Sequence, residues 1–172
     1  MKPASPAFIK TLKRAHLLFA EGKASEAAPL FAQLATQTDK EGIQRRTATL
    51  HARAAPGFAE AHNEALALAH AQKALRPFTQ LQMVWRAPAF YQTITRMLEA
   101  QKMPRAANTL RSEFSQAIVV LIGEARKEPA LPTSRLPETC PACNAPTRSD
   151  EVDWINASRA ECDYCGNVMS AG

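Results

Sequence analysis

Apolar and small residues recur at helical spacing through most of the chain, in three paired stretches broken by short polar turns. The first pair runs from Leu17-Leu18-Phe19-Ala20 across Glu21-Gly22-Lys23 to Ala27, Leu30, Phe31 and Leu34. The second runs from Phe58-Ala59 across His62-Asn63 to Ala67, Ala71, Ala74 and Leu75. The third runs from Met97-Leu98 across Gln101-Lys102-Met103 to Ala106, Leu110 and Phe114. Each pair predicts a helix, a tight turn and an antiparallel helix. Gly22 suits a left-handed helix end, Ser25 is placed to cap the following helix, and Pro104 fits a first helical position.

Prolines punctuate this pattern. Pro56-Gly57 is expected to kink or break the run from Ile43 to Ala61, because proline removes a backbone donor and crowds the preceding turn. Arg76-Pro77 is expected to end the fourth helix and Ala87-Pro88 to open the fifth. The last helix is expected from Pro104 to about Gly123 or Arg126. Its β-branched run Ile118–Ile122 continues the register of Leu110 and Phe114, which favours helix over strand. The composition agrees: alanine dominates the first 128 positions and the whole chain holds six glycines.

These units resemble tetratricopeptide (TPR) repeats, in a turn followed by a small residue and then a large apolar one. The aligned alanines Ala27, Ala67 and Ala106 stand 40 and 39 residues apart, against about 34 in a standard repeat. The resemblance covers roughly residues 8–116 and implies a TPR-like array of about six helices; a plain helical bundle without superhelix is the alternative. The fold class expected is mainly α, an array of antiparallel α-hairpins over residues 1–128. A proline-rich linker over 129–136 and a small β domain over 137–172 follow.

The C-terminal segment carries the chemistry. Cys140-Pro141-Ala142-Cys143 and Cys162-Asp163-Tyr164-Cys165 form two C-x-x-C pairs separated by 18 residues. Two intervening residues let a tight turn aim both sulfurs at one ion, and four thiolates suit tetrahedral zinc. Asn144 and Gly166 follow each second cysteine, where a left-handed conformation is expected. The pairs resemble the knuckles of the zinc-ribbon family over about residues 138–170. Strands are expected over Ala145–Arg148, Val152–Ile155 and Ser158–Glu161, with Trp154 filling the core. A redox C-x-x-C, haem attachment and paired disulfides fit less well: there are two pairs, no histidine follows either, and no export signal precedes them. Four ligands close the zinc shell, so one Zn²⁺ with a structural role is expected.

Charge separates the two parts. Residues 1–128 hold 18 Lys/Arg against 10 Asp/Glu, or +8, whereas residues 129–172 hold 3 against 6, or −3. No phosphate-binding glycine loop, G-x-S-x-G elbow or H-E-x-x-H motif is present, so no catalytic residue is assigned and no enzyme is expected. The histidines His16, His51, His62 and His70 are scattered over helices; His62 and His70 could share a face. No run reaches the ~18 apolar residues of a membrane span, and the N-terminus lacks a signal-peptide core, so a cytoplasmic protein is expected.

The TPR resemblance implies an inner surface made by the first helix of each pair, including His16, Phe19, Thr49, Ala52, Tyr91, Thr95 and Leu98. With Lys13, Arg14, Arg45, Arg46, Arg53 and Arg96 nearby, this face is expected to take a protein or acidic peptide partner. The function expected is a non-enzymatic interaction adaptor. The alternative is a nucleic-acid-binding protein that uses the basic helical array, since the acidic ribbon would repel phosphate.

Overall fold

The computed structural model describes residues 5–125, 135–147, 152–156, 158–162 and 167–171. Six helices come first: α1 (Pro6–Ala20), α2 (Ala24–Lys40), α3 (Gln44–Glu60), α4 (Glu64–Gln80), α5 (Arg86–Ala100) and α6 (Pro104–Ala125). Three short strands follow: β1 (Asp153–Asn156), β2 (Arg159–Glu161) and β3 (Val168–Ser170). The chain divides into two compact units, residues 11–126 and residues 1–10 with 127–172. None of the described helices is long and apolar enough to cross a membrane.

One turn, used five times, organises the helical part. Gly22, Gly42, His62, Gln82 and Lys102 all have positive φ, between 50° and 75°, and stand 20 residues apart. At each, the left-handed residue donates its N–H back three residues, as from His62 to the Ala59 carbonyl. The next residue donates back five, as from Asn63 to the Phe58 carbonyl. This is a Schellman ending, which satisfies carbonyls orphaned at the helix C-terminus. In three of the turns the last residue, Lys23, Ile43 or Asn63, is also the N-cap of the next helix. Asn63 is the N-cap of α4, and its Oδ1 accepts from Leu66 N–H at 3.1 Å. Lys23 occupies the same place before α2, so Ser25 falls inside the first turn of α2 and does not cap it.

The same interval sets the packing. Ala27, Thr47, Ala67, Ala87 and Ala107 each lie five residues beyond a left-handed residue, and all are buried. Ala107, not Ala106, is therefore the equivalent of Ala27 and Ala67, and the hairpin period is 40 residues throughout. Two adjacent alanines hid the register in the sequence. Helix α3 packs against α2, α4 and α5, and α4 packs against α6 as well as α5. A continuous interior from α3 to α6 includes Leu75, Phe78, Ile94, Leu98, Leu110 and Phe114. The register of α6 runs on through Ile118 and Leu121, both buried, so the β-branched run is helical as expected.

Two expected helix breaks do not occur. Pro56 lies inside α3, which continues to Glu60, and Pro77 lies inside α4, which continues to Gln80. Each proline forfeits one intrahelical bond, and burial against neighbouring helices overrides that loss. Gly57 shows how close the helices come. A Cβ added there would stand 2.1 Å from the Ala24 carbonyl oxygen and 2.8 Å from the Ala28 Cβ. Glycine is therefore present for the approach of α3 to α2, not to end a helix.

In the C-terminal region, β1, β2 and β3 form an antiparallel sheet in that order, with Trp154 opposite Ala160 and Ala160 opposite Met169. The third strand lies beyond the second cysteine pair, at Val168–Ser170, and was not anticipated. Within the expected strand Ala145–Arg148, only Pro146 pairs, as an isolated bridge to Thr139; Arg148 lies outside the described residues, as does the linker through residue 134. The interior is small: Leu136, Cys140, Val152, Ala160, Cys162 and Met169, with Trp154 half-buried against it.

Candidate metal centre

The first cysteine of each pair makes a matching backbone bond. Cys140 N–H donates to the Ala145 carbonyl at 2.8 Å, and Cys162 N–H to the Asn167 carbonyl at 2.9 Å. Both bonds span five residues. In the first loop Asn144 takes the left-handed conformation (φ 54°) and donates its N–H to the Cys140 carbonyl, as the residue type predicts. Thr147 secures the base of this loop: its N–H bonds the Glu138 carbonyl and its hydroxyl the Pro137 carbonyl.

Three sulfurs converge. The Sγ atoms of Cys140, Cys143 and Cys162 all lie within 4.8 Å of one another, with Cys140 and Cys162 buried and Cys143 half-buried. Cys143 and Cys162 are 3.8 Å apart, far beyond disulfide bonding. Two thiolates bound tetrahedrally at ~2.3 Å from one ion are themselves about 3.8 Å apart, so this edge fits a four-coordinate metal. A buried thiolate cluster is costly without a cation to balance it, and a soft divalent ion supplies that balance. Cys165, expected as the fourth ligand, lies outside the described residues, as does Gly166.

The residues expected to face a partner occupy three helices. On α1, Lys13 and Arg14 are exposed and His16 is half-buried, its ring edge-on to Phe31 of α2 at 5.4 Å. On α3, Arg45 and Arg53 are half-buried while Arg46 and Thr49 are buried. On α5, Arg96 is exposed, Tyr91 half-buried and Thr95 buried. Both threonine hydroxyls turn back on their own helix, Thr49 to the Arg45 carbonyl and Thr95 to the Tyr91 carbonyl at 2.7 Å. Leu98 belongs to the interior instead.

A feature missed in the sequence lies between α3 and α4. His51 and His70, both buried, meet Nδ1 to Nδ1 at 2.9 Å, and Phe58 stacks on His70. That contact needs one Nδ1–H donor and one bare Nδ1 acceptor, so the two rings cannot both be protonated. Burial first, then the His70 ring and the Lys73 ammonium, push His51 down to about 3. Burial and Lys73 push His70 down to about 4. His62, expected to share a face with His70, is instead the left-handed residue of the turn. The spacing of 19 positions from His51 to His70 carries no local periodicity; only the 20-residue half-repeat, which brings α4 beside α3, could have signalled the pair. Comparison with protein-family models, with curated proteins and with solved structures returns no match.

Proposed function

We propose that the protein is a non-enzymatic interaction adaptor, a TPR-like array of α-hairpins joined to a zinc ribbon. The observation that supports this reading most is the five-fold recurrence of one turn at a 20-residue interval. Identical turns produce identical hairpins, and hairpins stacked side by side form an extended surface suited to gripping a peptide or a partner domain. Arg45, Arg46 and Arg53 on α3 and Arg96 on α5 give the first helices of two such hairpins a cationic character. That favours an acidic protein segment, which arginine can meet with paired hydrogen bonds.

The ribbon's metal is Zn²⁺ held by Cys140, Cys143, Cys162 and Cys165. The 3.8 Å sulfur edge supports a tetrahedral ion, and the shared five-residue bond of the two loops supports equivalent roles for Cys143 and Cys165. Four thiolates leave no position for a reacting water, so the metal's role is to fold a segment whose own core is too small. A reducing, cytoplasmic setting suits thiolate ligands.

Capture from native lysate with the zinc-loaded full chain, with and without nuclease, tests the reading. A defined acidic protein should be retained after nuclease and lost when Arg45, Arg46 and Arg53 are changed together to glutamate. Retention that vanishes with nuclease would transfer the basic array to nucleic acid. The +8 charge of residues 1–128 favours that second reading.

A further inference from the structure

An open cavity of about 360 Å³ lies where α2, α3 and α4 meet, lined by Thr36, Asp39, Thr47, His51, Lys73 and Gln80, among others. Its size falls in the ~300–1,000 Å³ range of small-molecule sites. His51 and Thr47 contribute buried polar groups to the lining, while Asp39 and Lys73 are exposed. Opposite charges thus line one cavity from different helices, Asp39 from α2 and Lys73 from α4. Among the described residues they make no ion pair with each other or with a third group. His51 is held by its Nδ1 bond to His70, which leaves Nε2 as the ring nitrogen it can offer.

We propose that this cavity binds a small zwitterion, a molecule carrying one ammonium and one carboxylate. Lys73 meets the carboxylate, Asp39 meets the ammonium, and neutral His51 contributes an uncharged hydrogen-bonding edge between them. A monovalent anion would leave Asp39 beside like charge, and a simple cation would do the same to Lys73. A ligand bearing both charges satisfies both side chains at once. Lys73 also separates this site from a metal centre, since a divalent cation at the histidine pair would face its ammonium.

The separation of the two charges is open to direct measurement with a series of ω-amino acids: glycine, β-alanine, 4-aminobutyrate and 6-aminohexanoate. Each is titrated into the zinc-loaded full chain while the imidazole nitrogens of His51 and His70 are followed by NMR. One or two adjacent members should shift the His51 signals saturably in the millimolar range. Butyrate and butylamine, each with a single charge, should not. Lys73→Met and Asp39→Asn, both changes of exposed side chains that should leave helical circular dichroism unchanged, should each weaken the best member about tenfold, the loss of one charge-assisted bond. No saturable shift with any member would overturn the proposal. So would equal binding of butyrate or butylamine, or unchanged affinity in both variants.

Discussion

The interior of the helical part holds Phe78, Leu75, Ile94, Leu98 and Leu110, all fully buried, and extends through four packed helices. Among the described residues, the core cluster of the cysteine-bearing region holds Leu136, Val152, Ala160 and Met169 beside its sulfurs. Burying an aliphatic side chain contributes about 1.5–3 kcal/mol, and ordering each residue costs about 1–2 kcal/mol of backbone entropy. The first region buries many apolar side chains to set against that entropy. The second buries far fewer among the described residues, and its Cys143 and Cys162 sulfurs stand at the spacing of two thiolates on a tetrahedral ion. One chain thus combines a region of recurring helical turns with a small region whose three converging cysteines could hold a metal ion.

Metal removal should separate the two most sharply. Structural zinc contributes on the order of 10 kcal/mol or more to the folding of small domains. Chelation, or Cys140→Ser, should therefore unfold the C-terminal region and expose Trp154, while helical circular dichroism changes little. Purified protein should hold about one zinc per chain by elemental analysis. Collapse of the helices on chelation would show that the two regions fold as one cooperative unit and erase the contrast.

Acid probes the helical region through His51 and His70. Their folded values, about 3 and about 4, lie below the unfolded value of 6.5. The unfolded chain therefore binds more protons as pH falls below 6.5. The stabilisation is complete above that pH and is lost progressively toward pH 4 and below. A loss on the order of a few kcal/mol across that window is expected. A His51→Phe, His70→Phe double variant should show a flatter helical stability profile in denaturant titrations between pH 7 and 4. A profile as steep as the wild type's would place the acid-sensitive groups elsewhere.

Gly57→Ala should produce the smallest of these effects, about 1–3 kcal/mol, as overpacking where α3 meets α2. Thermal melting of the helices should drop with zinc content unchanged. A variant as stable as the wild type would mean that α2 and α3 slide apart at little cost.

How much of this was legible depends on the range of the interaction. Helical stripes at Leu110, Phe114, Ile118 and Leu121 were readable because one helix face repeats within a few residues. Cys140, Cys143 and Asn144 were readable because a metal knuckle is a local turn with strict chemistry. The sequence by itself thus determined that paired amphipathic helices precede a cysteine-bearing hairpin region.

Tertiary packing decided the remainder. Gln82 and Lys102 adopt a conformation that side-chain sterics disfavour by about 1–2 kcal/mol, because the helices they join are held at a fixed spacing. Pro56 and Pro77 stay inside helices for the same reason. The pairing of His51 with His70 required α4 to lie beside α3, and the strand Val168–Ser170 required β2 as its partner. In each case a local preference worth a few kcal/mol at most was outweighed by contacts between residues distant in the chain, which no local pattern records.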